Sequence, residues 1–275
     1  MKPSISQAES LAFLGPVCAV MSLGFIVPLG FIFFRSFTID GVFTLEGFRS
    51  LLTSPLFVRV FWTTLEISLI ASIVALAVGY PVALHISRQS ERVRSLYLIM
   101  VLLPFWTSIL VKSYAFTVIL GDAGLINTAL RALRLPQFEM IFNRFGVLAA
   151  STNFLVPFAV FPILANLLAQ DPNLGKAAEV MGAGPLRIFW RITFPLSGSG
   201  VLAGFILTFV LSLGLFATPA LLGGRHDMMM ANLIDFYTRD TLNWNAASAI
   251  AVILLFTSAV LLLLLNRVRG TEKFA

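Results

Sequence analysis

Long apolar runs alternate with short polar segments along this chain. A bilayer core of about 30 Å requires roughly 20 apolar residues per helix. By that measure the pattern predicts six transmembrane helices, over residues 11–34, 62–84, 96–119, 145–168, 198–218 and 245–266. The fold expected is all-α and integral to the membrane. It forms a single transmembrane domain over residues 1–275, with an N-terminal helix at 11–34 and core helices within 62–266. The first run is too long for a secretory signal and is read as a true span. Pro28, Pro81, Pro104, Pro157 and Pro162 fall inside these runs. Transmembrane helices accept proline where neighbouring helices or polar side chains satisfy the freed carbonyls.

One polar segment stands apart. Residues 169–197, between the fourth and fifth spans, contain "QDPNLGKAAEVMGAGPLRIFWRITFP". Asp171 suits a helix N-cap and Pro172 the first helical position. Leu174, Ala177, Ala178 and Met181 then recur at i, i+3, i+4 and i+7, a single apolar stripe. Gly182 ends that helix, and Pro185 restarts one through Phe189, Trp190 and Ile192. A short amphipathic helix outside the membrane must bury its stripe, either on the lipid surface or in a groove of a soluble partner.

Composition narrows the class. The chain is 58% hydrophobic and 12% charged, against about 25% charged in ordinary soluble domains. Lipid is therefore the solvent for much of it. A pI near 10.0 often signals nucleic acid, but a net charge of +6 spread over loops suits membrane orientation instead. Placing the N-terminus in the cytoplasm puts ten Lys/Arg residues inside, from Lys2 to Lys273, and eight outside. Both termini and the 169–197 segment are then cytoplasmic. Cys18 is the one cysteine and reads as a small buried hydrophobe. His85 and His226 lack metal-ligand spacing. The sequence holds no nucleophile elbow, phosphate loop or paired carboxylates, so nothing in it reads as an enzyme.

The 169–197 segment resembles the "EAA" loop of the membrane subunits of bacterial ABC importers, whose pattern is E-A-A, three residues, G, nine residues, I-x-L-P. Ala177, Ala178, Gly182, Ile192 and Pro195 match at that spacing; Lys176 replaces the glutamate and Phe194 the leucine. The resemblance implies that Lys176, Ala177, Ala178, Met181, Gly182, Ile192 and Pro195 form a coupling loop that docks into a cleft of an ATP-hydrolysing subunit. "LLPFWTSILVKSYAF" (102–116), "GLIN" (124–127), "PALLGG" (219–224) and "WNAASA" (244–249) are similar to spermidine/putrescine-type permeases, a group that includes opine and phosphonate importers. The implied assembly is an inner-membrane importer. It combines this chain, a second homologous permease, a cytoplasmic ATPase dimer and a periplasmic binding protein. ATP with magnesium sits on the partner ATPase, and this chain binds no cofactor of its own. The implied cargo is a polyamine, or a related opine or aminophosphonate. A stand-alone secondary transporter or channel is the alternative class.

Two charges, Glu66 and Lys112, fall well inside the predicted spans. A charge near the bilayer centre costs roughly 2.5–3.5 kcal/mol on insertion scales, so it rarely faces lipid. Both lie at similar depth below the outer boundary. The expectation is that they pair across the second and third spans or line a wet translocation cavity, with snorkelling as the other reading. Trp106 and Tyr114 join them as candidate pathway residues by cation–π contact, against the commoner role of aromatic anchors at the interface. The outer loops carry Asp122, Glu139, Asp227, Asp235 and Asp240, which suit a cationic solute but also an ordinary solvated face.

Overall fold

The computed structural model describes residues 7–39 and 41–271, with side-chain surroundings given for 14–39 and 41–264. Lys2 and Lys273 of the orientation count lie outside the described residues, and the side chains of Arg267 and Arg269 are likewise not described. The chain divides into two compact units. One comprises the segment ending at Ser54 with Ile234–Leu255, the other Pro55–Leu233 with the segment from Phe256.

In the first unit, α1 (Gln7–Ser36) leads into a two-stranded hairpin, β1 (Thr38–Ile39) and β2 (Val42–Phe43), with Thr38 opposite Phe43. Phe37 stacks on Phe43 at 5.5 Å, and α2 (Glu46–Thr53) follows. Cys18 is exposed rather than buried, because the apolar window of α1 carries no covering side chains within the described chain.

The second unit is built on α3 (Pro55–Ser87), α7 (Arg144–Ala169) and α11 (Gly198–Leu213). Lipid is as apolar as leucine, so helices in a bilayer associate through close packing of small residues rather than through expulsion of water. These three follow that rule. Ala71 and Ala75 of α3 meet Leu155 and Ala159 of α7, all fully buried. A Cβ at Gly200 of α11 would lie 2.6 Å from the Asn166 Cβ, so only glycine permits that approach. Towards the other end of α3, Tyr80, Ala83 and Ile86 pack on Val160, Ile163 and Leu167.

Among the described residues, five helical stretches are long and apolar enough to cross a membrane: Leu14–Ser36, Pro55–Ser87, Ile109–Ala132, Arg144–Ala169 and Trp244–Leu264. Pro185–Leu196 with Gly198–Leu213, bent by 59°, makes a sixth if the pair is one span. The expected helix over 96–119 is instead two, α4 (Glu91–Trp106) and α5 (Ile109–Leu120), separated by extended Thr107 and Ser108. The break follows Pro104, and the Lys112 ammonium donates 2.8 Å to the Pro104 carbonyl. That bond adds to the one the same oxygen accepts from Thr107 N–H at 3.3 Å, where α4 ends. Short α6 (Leu125–Ala132) continues beyond α5. Asn127, within the "GLIN" stretch, pins this corner by donating to the Gly121 and Phe138 carbonyls and accepting from Phe138 N–H.

After α11 come α12 (Ala217–Leu222), α13 (Met230–Arg239) and α14 (Trp244–Thr271). Thr64 ties α3 to the start of α13 by accepting 2.9 Å from Met230 N–H.

Candidate functional site

The polar segment after α7 forms two short helices with a sharp turn between them. α8 (Pro172–Val180) starts at Asp171, whose carboxylate accepts from Asn173 N–H at 2.9 Å, with Pro172 at the first helical position. It ends in a paired reverse bond: Ala183 N–H donates to Ala178 O and Gly182 N–H to Glu179 O, both 2.9 Å. Gly182 sits at φ +81°, the left-handed conformation this ending requires and one that glycine adopts without a Cβ penalty. The glycine marked by the motif is therefore a helix stop, as its spacing suggested.

The restart at Pro185 gives α9 (Pro185–Ile188), a π-helical turn over Phe189–Thr193 and α10 (Phe194–Leu196). Pro195 cannot donate a backbone bond, and the widened turn lets Phe194 N–H reach Phe189 O. Aromatic rings weld this region to α3. The Tyr80 ring lies 5.9 Å from Phe189 and 5.6 Å from Phe194, and Trp190 lies 5.3 Å from Phe194.

The α8–α9 corner is apolar and bare. Val180 is 90% exposed and Met181 87%; Ala177, Leu174 and Leu186 are also exposed, and Ala178 is half-buried. Lys176 is exposed and has no ion pair among the described residues. Ile192 turns inward, lining a cleft of about 610 Å³ that also takes in Arg88, Arg94, Asp171 and Glu179. Pro195 is exposed at the bend. The sequence-predicted loop residues thus fall into a tip (Lys176, Ala177, Ala178, Met181), a stop (Gly182) and a root (Ile192, Pro195).

A second polar feature lies on α3. Glu66 does not pair with Lys112. Its Oε1 lies 2.6 Å from Arg144 Nη1, and Arg144 Nε donates 3.1 Å to Asp227 Oδ1. Asp227 Oδ2 accepts from Gly224 N–H at 3.1 Å. A Cβ at Gly224 would collide with the Phe142 carbonyl, so the glycine is needed for that loop to reach the carboxylate. Lys112 instead makes its bond to Pro104 O and lies 5.2 Å above the Phe154 ring. Its ammonium is used in holding the α4–α5 break, and Trp106 and Tyr114 are exposed on those two helices. Sequence reasoning placed Glu66 at a charged site but missed Arg144, counted as a loop charge, and treated Asp227 as one outer acid among several.

Residues 75–269 match the family described as binding-protein-dependent transport system inner membrane component. The chain is 31% identical over 226 residues to the spermidine/putrescine transport system permease protein PotB of Haemophilus influenzae, covering 82% of this chain and 79% of that protein. It is 29% identical over 232 residues to the putative 2-aminoethylphosphonate transport system permease protein PhnU of Salmonella paratyphi A, covering 82% and 78%. A solved structure of a bacterial ABC transporter involved in import of the acidic polysaccharide alginate shares the fold. There the TM-score is 0.77 with 19% identity, over 94% of this chain and 93% of that one.

Proposed function

The chain belongs to the binding-protein-dependent transport system inner membrane component family: it is a permease subunit of an ABC importer, and we propose that its cargo is a polyamine of the spermidine/putrescine type. That cargo is supported by the PotB relatives at 31% identity and by the half-exposed carboxylate of Glu66. The subunit does no chemistry itself. It moves a solute delivered by a periplasmic binding protein, and it works with a second permease and a cytoplasmic ATPase pair that holds ATP and magnesium. A stand-alone secondary transporter falls away with the family assignment.

The observation that carries the coupling role is the bare apolar corner around Val180 and Met181. Large exposed apolar side chains on a polar loop mark a protein-binding face. In this reading Lys176, Ala177, Ala178 and Met181 enter the ATPase cleft, Gly182 fixes the corner, and Ile192 and Pro195 pass its displacement to α11. The loop is cytoplasmic, as are both termini. The cleft behind it leaves room for α8 to move against α3. A ligand or partner shifts such an equilibrium only through unequal affinity for its two states, so the corner must seat differently when the ATPases close. Glu66 borders the translocation route in this reading, and the exposed Trp106 and Tyr114 are its candidate aromatic lining. Lys112 supports that route by holding the α4–α5 break.

Reconstituting the importer in proteoliposomes tests the cargo. ATP-dependent uptake of radiolabelled spermidine, competed by putrescine but not by 2-aminoethylphosphonate, is the expected result. Uptake of the phosphonate in preference to spermidine would overturn the polyamine assignment.

A further inference from the structure

The Glu66 side chain is 53% exposed although it lies within a stretch read as membrane-spanning. A carboxylate there cannot be left facing lipid, so its open side faces water or another polypeptide. One helical turn earlier, on the same face of α3, Trp62 is 64% exposed. An indole face and a carboxylate at i and i+4 are the two groups that recognise an alkylammonium, one by cation–π attraction and the other by charge-assisted hydrogen bonding.

The ion cluster behind Glu66 leaves that carboxylate partly unused. Arg144 alone would neutralise it. Asp227 shares the guanidinium, so Glu66, Arg144 and Asp227 together carry one net negative charge. Asp227 is 8% exposed, and both of its oxygens are engaged, one by Arg144 and the other by Gly224 N–H. Glu66 gives Oε1 to Arg144 and has no ion-pair partner on Oε2 among the described residues. The surplus charge therefore belongs to the open end.

We propose that Trp62 and Glu66 form a transient binding step for an alkylammonium group of the solute, with Arg144 and Asp227 as positioning residues. The ammonium sits over the Trp62 ring and donates to Glu66 Oε2. This rests on the polyamine reading of the cargo.

The test uses the complete importer in proteoliposomes and reads spermidine moved per ATP hydrolysed. Glu66→Gln and Trp62→Leu each lower that ratio about tenfold, the scale of one lost charge-assisted bond or cation–π contact. Glu66→Asp and Trp62→Phe retain most of it, and Asp227→Asn follows Glu66→Gln because Arg144 then cancels Glu66. Should Glu66→Gln prevent assembly, Trp62→Leu still decides, since that residue touches no ion pair. A wild-type ratio in assembled Glu66→Gln or Trp62→Leu importer overturns the proposal. So does a Glu66→Asp importer no better than Glu66→Gln, which marks a packing role. Wild-type importer that moves another solute but not spermidine removes the polyamine reading itself, and this step with it.

Discussion

Tyr80 Oη and Ser197 Oγ share a hydrogen bond of 2.9 Å, and both residues are buried. Tyr80 belongs to α3, while Ser197 is the single residue between α10 and α11, at the 59° bend. Ser197 also donates to Phe194 O at 2.7 Å, so its hydroxyl has a place to go without Tyr80. The bond fastens the root of the α8–α10 segment to α3, the helix that carries Glu66.

Removing it separates packing from polar fastening. Tyr80→Phe keeps the ring contacts with Phe189 and Phe194 and loses only the hydroxyl. The expected cost is about 1 kcal/mol of stability, with full assembly and a lower amount of solute moved per ATP. Thermal unfolding and coupled uptake on the same preparation check both. Unchanged coupling would show that the rings alone fasten the root.

Gly182 is the second test of the loop. No neighbouring atom lies within 4 Å of a Cβ built there, but φ is +81°. Substitution is therefore penalised by backbone conformation alone, by about 1–2 kcal/mol for a β-branched residue. Gly182→Val should unwind the end of α8, lowering ATPase stimulation by loaded binding protein while insertion in the membrane is unaffected. Gly182→Asn, which accepts the left-handed region more readily, should recover most of the activity.

Arg144 holds two carboxylates, so deleting it does more harm than deleting either of them. Arg144→Met leaves the buried Asp227 charge without its counter-ion, at a cost near 3 kcal/mol, the low end for broken buried pairs because Arg144 is itself partly exposed. Arg144→Met with Asp227→Leu should regain part of that loss. Denaturation of the purified subunit in detergent measures both. Equal stability of the single and double variants would contradict the pairing.

Lys112 is expected to act on structure rather than on recognition. Lys112→Met removes the donor to Pro104 O and should cost about 1–2 kcal/mol; Lys112→Arg should retain a donor in reach. Solute preference, read by competition between spermidine and putrescine, should stay the same in both. A changed preference would return Lys112 to the binding surface.

The spans were largely legible because apolar runs need no tertiary information. The expected 62–84, 145–168 and 245–266 fall within α3, α7 and α14. The third span was not legible in the same way. Pro157 and Pro162 sit inside an unbroken α7, and Pro81 inside α3, so proline alone does not announce a break. What distinguishes Pro104 is Lys112, eight residues on, taking its carbonyl. The bent passage from Pro185 into α11 was read in part, from Gly182 and Pro185, but the π turn before Pro195 leaves no mark in hydropathy. At the ion cluster, Glu66 stood out as a charge in an apolar run. Its partners lie 78 and 161 positions further along the sequence, and only the folded chain brings them together. The α8 helix was readable because its signals are local: cap, stripe and stop all lie within twelve residues, from Asp171 to Gly182.

Coupling through this chain requires that the bare corner at Val180 and Met181 seat on the ATPase. With Cys18 replaced by serine, Met181→Cys gives this chain a single thiol for cross-linking within the full importer in native membranes. The expected result is a covalent adduct with the ATPase subunit whose yield changes when nucleotide is added. A thiol at Met181 that reacts freely with soluble reagents, yet never captures the ATPase in any nucleotide state of an actively transporting complex, would contradict it.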